Sequence, residues 1–124
     1  MKPSLLLLAS VITVIIVSCY YDSEEALYPS LSSACDTASV TFSGTLIPIL
    51  TNSCFSCHSN STASSYGTNI RLENYADLKA NAVAVQGSIN YTGTYSHMPK
   101  NGGKLKPCSL RQFDIWVSQG MLNN

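Results

Sequence analysis

The chain has 124 residues with seven Lys and Arg, seven Asp and Glu and no formal net charge, a balance that argues against a nucleic-acid binder. That length suits one domain plus short extras. The positive mean hydropathy owes much to the N-terminus, and the remainder is rich in Ser, Thr and Asn. A domain so small and polar is short of core, and such domains usually need a disulfide, a metal or a cofactor.

Met1-Lys2 begins the chain with a positive charge, and Leu5 to Val17 is almost continuously apolar. That run falls short of the roughly 20 apolar residues of a spanning helix and suits the h-region of a signal peptide. It ends Ile16-Val17-Ser18-Cys19, which resembles the bacterial lipoprotein box. The resemblance implies cleavage after residue 18, lipid on Cys19 and a membrane anchor in the cell envelope of a bacterium, with the domain outside the cytoplasm. An ordinary cleaved signal is the rival, but Val17-Ser18 supplies a poor small-x-small site. Residues 19–34, acidic, Ser-rich and aperiodic, read as a flexible tether. The folded domain is expected over 35–124.

Leu46, Ile47, Ile49 and Leu50 predict a first helix between about Ser43 and Ser53, with Ser43 as N-cap. Pro48 must either sit in its first turn or kink it. Residues 59–70 read as a polar loop. Asn74 can cap a second helix, with Asp77 in its first turn and Tyr75, Leu78 and Ala82 on one face. Residues 86–107, punctuated by Gly and Pro, read as a long loop of the kind that is usually functional or disordered. The last helix is the clearest: Ser109 and Gln112 suggest a capping box, Leu110, Phe113, Trp116 and Val117 recur at helical spacing, and Gly120 can end it. No strand pair and no internal repeat is evident.

Of the five cysteines, Cys54 and Cys57 stand in Cys54-Phe55-Ser56-Cys57-His58, a CxxCH. This is the attachment signature of c-type haem. Each thiol adds to one porphyrin vinyl group, two intervening residues let both sulfurs reach one edge of the ring, and His58 offers its imidazole to the iron. A thioredoxin-like pair would need a βαβ setting. Half a zinc site, completed by His97 and by Cys108 or Cys35, would not require the adjacent His. A disulfide loop beside a chance His is the blandest reading. Cys35 and Cys108 remain, either as separate thiols or as a disulfide that an oxidising compartment would preserve.

The iron needs a sixth ligand, for which Met98, His97 and Met121 are the candidates. Met98 lies in Ser96-His97-Met98-Pro99-Lys100, where a loop can lay its thioether over the ring and Pro99 restrains the residue before it. As a gap-filler it would have unusually polar neighbours. His97 is the rival, and would give a lower potential than Met; Met121 reads as packing or fraying. Lys100, Lys104, Lys106 and Arg111 follow Met98 with no acid between them. They could steer an acidic redox partner, neutralise propionates or simply be solvated.

FSGTLIPILTNSCFSCH, IRLENYADLKA and HMPKNGGKLKPCSLRQFDIWVSQGMLNN together make residues 35–124 resemble the single-haem, class I-like cytochrome c domain of bacterial exported lipoproteins. The resemblance implies an all-α fold, helices and long loops packed around one covalent haem c, with the first and last helices crossing. It carries Cys54 and Cys57 over as thioether sites, His58 as proximal ligand and Met98 as distal ligand. A Cys35–Cys108 disulfide would then staple the domain's edge to its last helix. The implied activity is electron transfer to redox partner proteins, without bond chemistry and so not that of an enzyme; a haem enzyme or ligand-binding haem domain in which Met98 leaves the iron is the alternative. In one respect the sequence departs from the family. Many members have a Pro soon after CxxCH whose carbonyl accepts a hydrogen bond from the ligand His, and here Ser59, Asn60, Ser61 and Thr62 follow, leaving that acceptor unassigned.

Overall fold

The structure is a computed structural model that describes residues 35–100 and 102–124. Cys19, the expected signal peptide and the expected tether lie outside the described residues. Residues 35–124 form one compact unit. The regular structure described is entirely helical, so the all-α expectation holds. No helix among the described residues is long and apolar enough to cross a membrane.

The first helical segment starts two residues earlier than its sequence suggests. Thr41, not Ser43, is the N-cap, its hydroxyl accepting from the Gly44 N–H at 3.0 Å. A π-helical turn, Phe42–Leu46, leads into α1, Ile47–Ser53, with Pro48 in the first turn of α1. A proline ring clashes with the carbonyl four residues back in regular α-helix and has no N–H to give. The wider preceding turn, closed by Ile47 N–H on the Phe42 carbonyl, opens that register. Ser43 instead binds Asn124: its N–H and its hydroxyl both donate to the Asn124 carbonyl, at 2.9 and 2.8 Å.

Two one-turn helices follow, α2 (Phe55–His58) and α3 (Ala63–Tyr66). The second occupies part of the expected polar loop, because Ser59 and Thr62 supply the donors and acceptors that start it: their hydroxyls meet at 2.6 Å and Ala63 N–H donates to the Ser59 carbonyl. Helix α4, Tyr75–Asn90, begins where expected, with the Asn74 side chain accepting from Asp77 N–H at 3.0 Å. It runs further than its sequence suggests. Gly87 is a poor helix residue yet lies inside α4, so among the described residues the irregular segment runs over 91–100 and 102–106 rather than 86–107.

Helix α5, Pro107–Ser118, starts with Pro in its first turn and no side-chain cap. The expected capping box is not formed: the Gln112 side chain donates to the Asp36 carbonyl at 2.8 Å. Gly120 does end the helix, at φ +88. Its N–H donates to the Val117 carbonyl and Met121 N–H to that of Trp116, the paired bonds of a Schellman stop. Met121 packs on the core.

Trp116, Phe113, Leu46, Leu50 and Leu78 are the largest fully buried side chains. Phe42, from the first helical turn, sits 5.4 Å edge-on to Tyr75 of α4 and 6.3 Å from Trp116 of α5, so the first and last helical segments meet. Asp114 ties α5 to α4, accepting from Gln86 at 2.7 Å and Asn90 at 3.0 Å. Cys35 and Cys108 are joined in a disulfide.

Candidate cofactor cavity

Helix α2 follows α1 after a break at Cys54, whose φ of −127 interrupts the helical path. The break puts Cys54, Cys57 and His58 on one wall of a cavity of about 340 Å³. Leu72, Val85, Ile89 and Leu105 furnish apolar lining, and Asn81 and Ser88 of α4 add polar groups. Met98 and Pro99 line it from the irregular segment, Lys100 stands beside them, and Tyr66 and Ile70, both exposed, also contribute. An apolar pocket with a few converging polar and ligating groups is the usual form of a cofactor site.

His58 is fixed by a group that sequence reading does not find. Its Nδ1 lies 2.8 Å from the Ile70 carbonyl oxygen. A carbonyl only accepts, so Nδ1 carries a proton, and in the neutral ring the lone pair is on Nε2. The Ile70 carbonyl is the acceptor for His58 that the sequence left unassigned. The chain reaches it by a tight wrap: Thr68 and Asn69 are left-handed, at φ +50 and +63, and Leu72 N–H returns to the His58 carbonyl at 2.9 Å. Gly67 is required in the wrap. A Cβ there would run into the Cys57 carbonyl oxygen and stand 2.9 Å from His58 Nδ1. An acceptor on the backbone leaves no side-chain signature; the available signal was Gly67 itself, since glycine is the usual residue where backbone must pass close to another group.

The two candidate distal residues part company. Met98 is half-buried at the cavity, its N–H donating to the Ser88 carbonyl at 3.1 Å. His97 is exposed, is not among the cavity residues, and stacks on the Tyr91 ring with centroids 4.2 Å apart and planes 10° apart. Burial pushes the Cys54 thiol up from 9.0 to about 11, so at neutral pH it is a neutral thiol.

Cys35 and Cys108, bonded to one another, have no thiolate to give, which removes them from the zinc alternative. Among the described residues no three His, Cys, Asp or Glu side chains group as a metal site. The donor set at the cavity is instead two thiols, one imidazole with a free Nε2 and one thioether around an apolar space. That composition fits a flat, largely apolar macrocycle whose metal brings four ligands of its own and needs two more. No family model, curated protein or solved structure matches the chain, and the site's chemistry therefore rests on its own geometry.

Proposed function

We propose that the protein is an electron carrier holding one haem c, with Cys54 and Cys57 as thioether sites and His58 and Met98 as axial ligands. The observation that carries this reading is the convergence of CxxCH and Met98, far apart in sequence, on one apolar cavity. The haem would supply a metal that takes up and releases one electron. The chain's own residues do the rest. The His58 Nδ1 bond to the Ile70 carbonyl orients the ring and raises the basicity of Nε2. The apolar walls would shield the faces of the haem that they cover, and with His58 and Met98 both on the metal no position would be left for substrate, which makes the protein a carrier rather than an enzyme in this reading. The domain is read as cytochrome c-like on the same grounds.

Lys100, at the cavity, and Lys104, Lys106 and Arg111 are all exposed, which suits an acidic redox partner. Lipid on Cys19 would hold the domain to a bacterial envelope membrane. The deciding experiment is a pyridine haemochrome assay on protein expressed with a haem-attachment system: one haem per chain is expected, surviving acid–acetone extraction. A protein matured in this way but lacking covalent haem would overturn the proposal. Rapid carbon monoxide binding to the untreated reduced form would instead favour a ligand-binding haem domain.

A further inference from the structure

Tyr91 ends α4 in the left-handed conformation, at φ +64. Glycine is the usual residue at such a stop, because a residue with a Cβ is strained there. The unusual residue has two consequences, and both lead to Met98. First, the turn redirects the last backbone bonds of the helix: Tyr91 and Thr92 N–H both donate to the Gly87 carbonyl. The Ser88 carbonyl, left without Thr92, takes the Met98 N–H instead, at 3.1 Å. Second, the Tyr91 ring is stacked upon by His97, the residue before Met98, and Lys104 Nζ lies 5.2 Å from the same ring's centroid. A glycine would supply the turn but not the stack.

Resting on the haem reading, we infer that the C-terminal stop of α4 is a latch for the distal ligand, with Tyr91 and His97 as positioning residues that hold the Met98 segment closed over the cavity. Neither touches the cavity; both act through the backbone that precedes the ligand. Tyr95 extends the contact, its ring lying against Gly87 so closely that a Cβ there would stand 2.6 Å from Tyr95 Cε2. The open fraction of the segment sets how fast an external ligand reaches ferrous iron, because the ligand can bind only the fraction from which Met98 has departed.

The test uses the haem-loaded full chain and carbon monoxide. Tyr91→Gly keeps the turn and relieves its backbone, yet should speed carbon monoxide binding to the reduced protein by roughly two- to tenfold, the range expected from losing one ring stack. His97→Ala should do the same while retaining the ferric Met–iron charge-transfer band. The double variant should be no faster than the faster single, because both remove one contact. Asn74→Ala, which removes the remote cap of α4, should lower the denaturation midpoint without altering the rate, separating latch from general stability. Wild-type rates in both single variants, beside a fast Met98→Ala, would overturn the latch and leave the haem reading standing. If Met98→Ala itself keeps the wild-type spectrum and rate, the ligand assignment fails first and the latch with it.

Discussion

The imidazole of His58 is held by the carbonyl of Ile70, 2.8 Å away and twelve residues along the chain. One glycine lets the backbone pass close enough to make that bond. Gly67→Ala would drive a methyl group against the Cys57 carbonyl and the ring. With the hydrogen bond lost, Nε2 becomes a poorer donor and ferric iron is less stabilised, so the midpoint potential should rise. The His58–iron bond should weaken by roughly 10- to 100-fold, read as loss of the low-spin spectrum on acidification at a pH higher by about one to two units. An unchanged potential and acid transition would mean that another acceptor serves His58.

Before haem attachment, Cys54 should be slow to alkylate. Burial raises its pKa from 9.0 to about 11, so the folded chain keeps a proton that the unfolded chain releases at lower pH. Stability of the haem-free protein should therefore fall as pH rises from about 9 to about 11, since the unfolded state then binds fewer protons. Iodoacetamide labelling of Cys54 across that window checks the sign. A rate profile half-maximal near 9 would put the thiol in water.

Exchange of the distal side chain separates Met98 from His97. Met98→His should keep a six-coordinate, low-spin haem at a lower midpoint potential, because thioether sulfur favours ferrous iron. Met98→Ala should give a high-spin or water-ligated ferric form. If Met98→Ala left the spectrum intact while His97→Ala changed it, the iron would be held by His58 and His97.

The disulfide spans a sequence separation of 73. The chain-entropy account assigns such a loop on the order of 4 kcal/mol. The paired change Cys35→Ser and Cys108→Ser should lower unfolding free energy by about that amount in denaturant titrations, with haem content unchanged. Non-reducing peptide mapping should recover the two residues as one linked pair.

Intact mass of the exported protein should show one haem and an acylated N-terminus at Cys19. Cys19→Ala should abolish the acylation and leave haem attachment untouched. Wild-type protein released free of lipid would remove the anchor from the proposal.

Sequence pattern reached the parts of this fold that depend on side-chain periodicity. Phe113 and Trp116 recur on the buried side of α5, and Asn74 and Asp77 mark the start of α4 because a side-chain cap has its own chemistry. The errors lie where backbone decides. The π-helical turn before Pro48 follows from a steric conflict whose remedy leaves no trace in residue type. Residues 86 onward read as loop, but the helix runs on through Gly87, against which Tyr95 packs from the following segment, a contact no local window contains. At the cavity, CxxCH and Met98 stand out by residue type, whereas the Ile70 carbonyl and the Tyr91 stop do not, because one is main chain and the other breaks the usual preference for glycine.

The contacts that close this unit join its extremes. Cys108 bonds Cys35, and Asn124 receives the N–H groups of Phe42 and Ser43, one through its side-chain oxygen and one through its carbonyl. Pairings so distant in sequence form late, since the whole intervening chain must be gathered first. A growing chain that ends before residue 108 lacks both closures. Until the segment from residue 108 onward has joined the fold, the unit that carries Cys54 and Cys57 lacks both ties between its ends.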